Sequence, residues 1–353
     1  MINDKWKLKQ SARMPSLQHR GYKMKKLNWG IIGPGSIARN FADALAVSEK
    51  GQLFAVASRD INKAQNFANK YAASKVYDSY QHLVDDPQVD IIYIATPQSF
   101  HYEQAKLCLE AGKHVLMEKP LTINAMQTEN LIRLAQSKNL LLQEALWSRF
   151  MPCFTQVKQW ISEGKIGQLQ YICSDIGFAF GDRPDHRLFK AELGGGALLD
   201  LGVYSITLSQ LIIGEHPSQI QAMGNVSGSN VDLNAAVNMS YPSGCYAQFT
   251  CTIMAQASNS MTIMGSAGRI VLPGHFWNGN KAILQQDGDV EEIDFPHKAN
   301  GFEYQIEESM ACVNAGLVSS EMMPHRDSLG VMQTMDEIRR QIGLQFSTEL
   351  EVV

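Results

Sequence analysis

Several things are scarce in this chain, and each scarcity excludes something. Its six cysteines stand apart at positions 108, 153, 173, 245, 251 and 312, with no Cys-x-x-Cys pair. That spacing matches neither a zinc ribbon nor a thiol redox motif. A chain of 353 residues can stabilise its core without disulfides. The cysteines are therefore read as reduced thiols of a cytoplasmic protein. Net charge is only -4, from 31 basic and 35 acidic residues. So weak a field offers nothing to hold nucleic acid or an anionic membrane. No apolar run of about 18 residues is evident, so no membrane span is expected. Residues 1–23 are polar and basic without an apolar stretch, unlike a secretory signal, and are read as an extension. Internal repeats and low-complexity tracts are also missing. In the loop GDRPDHRLF, Asp182, Asp185 and His186 have one histidine and no fixed ligand spacing, so no metal is expected.

What is present is a soluble globular composition, 45% hydrophobic and 19% charged, in a chain long enough for two domains. The first, over 24–145, alternates short apolar runs with helical ones. Strands are expected at Asn28–Ile32, Leu53–Ser58, Asp90–Ala95, His114–Met117 and Leu140–Leu142. Helices are expected at Ser36–Val47, about His101–Ala111 and Asn124–Ser137. Strands alternating with helices imply βαβ units, a parallel doubly wound sheet and an α/β Rossmann fold.

The motif GIIGPGSIA follows the first strand and opens the first helix. That context gives a G-x-G-x-x-A match its meaning. Gly33 permits the tight turn, Gly35 lets a pyrophosphate approach the backbone, and Ala38 allows close helix packing. Ser36 and Ile37 begin the helix whose free N–H groups face the anion. Cofactor choice is read at the end of the second strand. An NAD enzyme usually places a carboxylate there for the ribose 2′-hydroxyl. This chain has Ser58 and Arg59, with Lys63 one turn later. A guanidinium fork suits a 2′-phosphate, so NADP is expected over NAD. Asp60 is the competing ribose ligand, but it also suits the helix N-cap, which is the preferred reading.

The second domain, 146–353, reads as α+β. Alternating runs occur at Gln168–Phe180, Val231–Tyr241, Cys245–Met254 and Met261–Leu272, with two short ones near Ala282 and Val290. Turn signals separate them, which predicts a large open, mostly antiparallel sheet. Helices are expected at Gly195–Ile213, Phe302–Ala315 and Ser328–Ile342.

The segments GIIGPGSIA, IATPQSFH, GKHVLMEKPL and GGALLDLGVY, in that order, resemble the Gfo/Idh/MocA oxidoreductases. EALWSRFMP and LLDLGVY are most similar to the branch with dimeric dihydrodiol dehydrogenase and NADP-dependent D-xylose dehydrogenase. The resemblance implies that Lys119 is catalytic, with a cis bond to Pro120, and that Tyr204 replaces the histidine of many members. It places Thr96, Pro97 and His101 along the ribose, and Glu118 at the same sheet edge. Asp200 and Tyr204 lie four apart and are expected on one helix face. Tyr204 is expected to be the acid/base, its pKa depressed by Lys119, with Asp200 holding Lys119 or a hydroxyl. Trp147 is expected to wall the nicotinamide or the substrate, and Arg149 to bind a phosphate or a hydroxyl. Phe276 and Trp277 are read as a further substrate wall. The triple glycine before Ala197 is expected to let the backbone approach cofactor or substrate. The implied activity is hydride transfer between NADP(H), or NAD, and a sugar, cyclic polyol or dihydrodiol. A homodimer through the second-domain sheet is implied by resemblance. The alternatives are a non-catalytic dinucleotide-binding regulator of the same family, or a reductase of a sugar ketone such as anhydrofructose.

Overall fold

The computed structural model describes residues 25–181, 183 and 185–353. Six strands, β1 (Leu27–Ile32), β2 (Gly51–Ala57), β3 (Lys75–Tyr77), β4 (Ile91–Ile94), β5 (His114–Glu118) and β6 (Leu142–Ala145), form one parallel sheet. Their order is β3-β2-β1-β4-β5-β6. The chain reverses direction across the sheet between β1 and β4. Ligands of open α/β sheets bind at the carboxyl edge of that point. The strands are almost uninterruptedly apolar because both faces are covered. Ile31 joins one core with Phe41 of α1 (Ser36–Ala46), and Ile32 joins the other with Leu109 of α4 (His101–Glu110). Between these helices lie α2 (Ile61–Tyr71) and α3 (Tyr80–Val84), and α5 (Ala125–Lys138) follows β5.

The helix α6 (Pro152–Ser162) carries no sequence expectation, although its pattern is readable in retrospect. Cys153, Phe154, Val157 and Trp160 form its buried face, and Pro152 sits at the first turn where its missing N–H costs nothing. After β7 (Leu169–Gly177) come a helix, α7 (Val203–Ile213), and the strands β8 (Gln219–Val226), β9 (Asp232–Ser240) and β10 (Tyr246–Thr252). The expected single run Met261–Leu272 is a hairpin, β11 (Met261–Gly265) and β12 (Arg269–Leu272), because Ser266-Ala267-Gly268 turns the chain. Two further strands, β13 (Lys281–Gln286) and β14 (Asp289–Asp294), complete an eight-stranded sheet. Its order is β14-β13-β12-β11-β7-β10-β9-β8, antiparallel except for the central β7–β10 pair. Strand β8 went unread because its inward positions are Ile220, Ala222, Gly224 and Val226, a weak apolar alternation.

Among the described residues, helices cover one face of this sheet only. In β10, Ala247, Phe249 and Cys251 point into the core while Tyr246, Gln248 and Thr250 are exposed. The helix α8 (Phe302–Asn314) returns to the first sheet, where Phe302, Ile306, Met310 and Cys312 join the core around Trp29 and Phe41. It is followed by α9 (His325–Ile342) and a short α10 (Thr348–Glu351). Residues 191–213 have the length and hydropathy of a membrane-spanning helix, but 94% of that window is buried against the protein's own core.

The run expected as one helix from Gly195 begins instead at Leu198, with a wide π-turn over Leu198–Gly202 before α7. The triple glycine also serves a different purpose from the one expected. A Cβ on Gly195 would stand 2.6 Å from the Leu188 carbonyl oxygen, and one on Gly196 would stand 2.0 Å from Asp232 Oδ1. Gly196 moreover has φ +120°, which side chains rarely adopt. At these two positions the glycines let protein segments approach closely. That approach lets the buried Asp232 carboxylate accept the Leu198 N–H at 2.6 Å and cap the helical run. Burial pushes the Asp232 carboxyl up to about 7 despite that bond. A raised carboxyl stabilises the fold below its unfolded range and loses that contribution as pH rises towards 7. Asp232→Asn, uncharged throughout, should therefore shrink the fall in Tm between pH 5 and pH 8. An unchanged fall in thermal melts would remove Asp232 from this role.

Candidate active site

Three loops meet at the carboxyl edge of the parallel sheet. The turn after β1 is set by Gly33, whose φ is +83° and whose Cβ would meet the Thr96 methyl at 2.7 Å. Gly35 is exposed, and a Cβ there would touch only the Gly33 oxygen, at 3.9 Å. It caps α1 without a side-chain bond, so the N–H groups from Ser36 and Ile37 onward face open space. That open, positively polarised helix end fits a pyrophosphate. Nearby, Ser58 is buried and accepts the Asp60 N–H at 3.2 Å. Arg59 is exposed, with its guanidinium 5.5 Å from the centre of the Phe100 ring. Asp60 caps α2 by accepting the N–H groups of Asn62 and Lys63. The Lys63 side chain is 73% exposed, with its ammonium 3.9 Å from the Asp60 carboxylate.

The second loop, Thr96-Pro97, follows β4, and the third, Glu118-Lys119, ends β5 with a cis bond to Pro120. His101 ties the two together. Its Nδ1 lies 2.9 Å from the Pro120 carbonyl and its Nε2 lies 3.0 Å from that of Thr96. Only 1% of it is exposed. Both ring nitrogens are engaged, so the expected ribose contact is replaced by a structural tie. The Thr96 hydroxyl likewise donates to Gln104, at 2.7 Å.

From the other lobe, the π-turn and α7 bring Asp200 and Tyr204 to this edge. The Lys119 ammonium donates to the Asp200 backbone carbonyl at 2.5 Å and to its Oδ1 at 3.2 Å. It also stands 4.9 Å from the centre of the Tyr204 ring. Trp147 donates its indole N–H to the Tyr204 hydroxyl at 3.1 Å. Trp277 stacks on Tyr204 with centroids 5.8 Å apart. The structure thus assembles Lys119, Asp200, Tyr204, Trp147 and Trp277 in one place, beside the glycine turn.

Electrostatics differ from expectation at one point. Burial raises the Tyr204 pKa, and Lys119 and the Trp147 N–H only partly oppose it. The expected net depression is therefore not found, because a buried phenolate loses more hydration than one shared ammonium returns. Burial acts against the Lys119 ammonium too, but Asp200 and Tyr204 outweigh it and raise its pKa. Burial would raise Asp200, yet Lys119 and Arg187 hold it at about 2. The Glu118 carboxyl is pushed up to about 7 by burial, with the Tyr93 hydroxyl donating to it.

The chain matches the oxidoreductase family with an NAD-binding Rossmann fold over residues 27–146. It matches the GFO/IDH/MocA C-terminal domain over residues 154–271. The chain belongs to the Gfo/Idh/MocA oxidoreductases. It is similar to the trans-1,2-dihydrobenzene-1,2-diol dehydrogenase of Danio rerio, 35% identical over 332 residues, covering 92% of this chain and 99% of that one. The Mus musculus enzyme of the same name is 33% identical over 331 residues, covering 91% and 98%. Among solved structures, an aldose-aldose oxidoreductase from Caulobacter crescentus superposes with a TM-score of 0.82 at 25% identity, covering 90% of this chain and 97% of that one. A 3-ketoreductase from Actinomadura kijaniata, in complex with NADP and TDP-benzene, superposes with a TM-score of 0.81 at 27% identity, covering 90% and 98%.

Two residues expected in this Gfo/Idh/MocA site lie elsewhere. Arg149 is buried, donating from Nε to the Met322 carbonyl at 2.8 Å and from a terminal nitrogen to Asp327 at 2.7 Å. It joins the Trp147–Phe150 turn to the start of α9. Breaking such a buried pair typically costs about 3–5 kcal/mol, which makes Arg149 a structural cation here and not an anion ligand. Phe276 is 1% exposed and belongs to the core, so only Trp277 of that pair reaches Tyr204. Of the loop once weighed as a metal site, Asp182 lies outside the described residues. His186 caps a short turn and tilts over Phe180, and Asp185 is exposed.

Three residues of the site went unread. Gln98 points its amide at Asp200 Oδ1 from 3.4 Å, inside the segment IATPQSFH. Tyr93 interrupts an otherwise aliphatic strand, and a buried phenol needs a partner; that signal was available. Arg187 sits in an aperiodic loop, where nothing in the sequence says which way it turns.

Proposed function

We propose that this protein transfers a hydride between NADP(H) and a hydroxyl-bearing carbon of a sugar, cyclic polyol or dihydrodiol. The observation that carries the reading is the Lys119 ammonium lying at once against the Asp200 carboxylate and the Tyr204 ring, at the sheet edge beside an open glycine turn. The names of the relatives support this substrate range. The nicotinamide supplies the hydride acceptor or donor when bound.

The chain's own groups handle the proton. In oxidation the Tyr204 phenolate would take the proton of the substrate hydroxyl. In reduction the Tyr204 hydroxyl returns that proton to the carbonyl oxygen. Lys119 donates a hydrogen bond to the substrate oxygen and offsets charge that develops on it. Trp147 holds the phenol oxygen with its N–H, and Asp200 keeps the ammonium in place. Trp277 and Trp147 offer apolar walls to a ring.

Burial keeps the Tyr204 phenol protonated at neutral pH, which favours the reductive direction there. This supports the second reading, a ketone reductase, as the 3-ketoreductase neighbour does. Both directions use the same groups. Tyr204→Phe should lower turnover by about a thousandfold or more, in line with the loss of a general acid/base, while NADPH titration changes little. Wild-type oxidation should accelerate as pH rises towards the alkaline range. Near-normal turnover in the variant would refute the assignment.

Preference for NADP rests on Arg59, just after β2, and Lys63, in the first turn of α2, both exposed, with Asp60 committed to capping α2. Arg59→Ala should raise the KM for NADPH by at least about tenfold, a loss typical of a charge-assisted phosphate contact, and leave that for NADH within about twofold. Equal losses for both would show that Arg59 does not read the 2′-phosphate.

The uncovered face of the eight-stranded sheet is the pairing surface of a homodimer in this reading. Met223 is 77% exposed there and Tyr246 56%. Sedimentation should give a dimer that Met223→Lys with Tyr246→Lys weakens. A monomeric wild type at micromolar concentration would overturn the pairing.

A further inference from the structure

Asp200 is the meeting point of two cations, and only one of them belongs to the machinery described above. Lys119 and Asp200 are nearly enclosed, with side chains 13% and 10% exposed, whereas the Arg187 side chain is 45% exposed. The same terminal nitrogen of Arg187 lies 3.0 Å from each Asp200 oxygen. From the interior outward the order is Lys119, Asp200, Arg187, solvent.

The triple glycine builds this arrangement. A Cβ on Gly195 would stand 2.8 Å from the Arg187 carbonyl oxygen, so only glycine lets the two segments lie this close. The N–H of Gly196 then bonds the Leu188 carbonyl at 2.9 Å, and that of Gly195 bonds Lys190 at 3.0 Å. Leu188 is wholly buried and anchors the turn Arg187–Phe189. A Cβ on Gly194 would stand 3.2 Å from that of Gln98, the other side chain aimed at Asp200. The glycines thus press two Asp200 partners onto the π-turn that presents it.

We propose that Arg187 is a positioning residue that shares the Asp200 carboxylate with Lys119, bonding both oxygens, and so weakens the carboxylate's pull enough to leave the Lys119 ammonium also directed at the Tyr204 face and the substrate oxygen. With Arg187 gone, Lys119 is the one cation left on Asp200 among the described residues. Attraction draws the ammonium towards the carboxylate and away from the reacting oxygen. The charged and titratable groups around the pair are Glu118 and Tyr93 from the parallel sheet, Asp200 from the π-turn, and Arg187 from the loop, with His186 and Arg183 beyond it. Arg187 is a positive member of that set. Its removal leaves Asp200 less neutralised, which disfavours the phenolate and moves the rising limb of oxidation to higher pH.

The inference rests on the Lys119–Tyr204 reading. Its test is steady-state kinetics of Arg187→Gln and Arg187→Lys in the full chain, with pH profiles of kcat for alcohol oxidation and with Tyr204→Phe in parallel. Arg187→Gln should lower kcat about tenfold or more with KM within about threefold, and should shift the rising limb upward by roughly half a pH unit. Arg187→Lys keeps the charge without the planar guanidinium and should restore the limb and part of kcat. A raised KM with kcat intact would make Arg187 a substrate contact and overturn the proposal. A lowered Tm with kcat intact would make it a loop anchor only, and a lower kcat with an unmoved limb would also refute it. Full turnover in Tyr204→Phe would instead defeat the underlying reading, whatever Arg187 does.

Discussion

An ammonium at the end of a buried parallel strand must find compensation or lose its charge. Here it comes from the other lobe: Asp200 accepts from Lys119 through both its backbone and its carboxylate. Within this enclosed site, either charge left without the other would cost several kcal/mol. The pair therefore specifies how the lobes meet, and the meeting places the Tyr204 ring under the ammonium. The short turn that lifts Asp200 out of α-helical register, the glycines that precede it and the Asp232 cap behind them all serve that one contact.

The surroundings are unusually acidic for a buried region. Burial pushes Glu118, Glu144 and Asp232 each up to about 7. Glu144 accepts the Leu121 N–H and Glu118 that of Lys119, so both carboxyls brace the loop that carries Lys119. Neutral carboxylic acids can do this without competing strongly for the ammonium, which leaves Asp200 as the one firmly ionised partner. Their contribution to stability is lost as pH rises from the ordinary carboxylate range to about 7, so it is already spent before a phenol base becomes more available.

Much of the first lobe was legible because its signals are local. A glycine turn between an apolar run and a helical one is a short-range pattern, and so is Asp60 at a helix start. The motif segments pointed to Lys119, Asp200, Tyr204 and Trp147, and the structure brings those four together. Arg149 and His101 were misread because nothing local tells a buried polar side chain from one that faces a ligand; Asp327 and the Pro120 carbonyl, distant in sequence, decide that. Phe276 and Trp277 are adjacent in sequence and both buried, yet it is Trp277 that stacks on Tyr204.

The sequence by itself determined the periodicities, hence two kinds of sheet, and the spacing that makes a dinucleotide turn. Those properties follow from backbone sterics and side-chain pattern over a few residues. Only the tertiary structure decided that burial overrides Lys119 at the Tyr204 phenol, that the glycines make room for the Leu188 and Asp232 segments, and that Arg187 turns inward onto Asp200. Hydration loss and steric fit depend on groups tens or hundreds of residues away, so no local reading of the chain contains them.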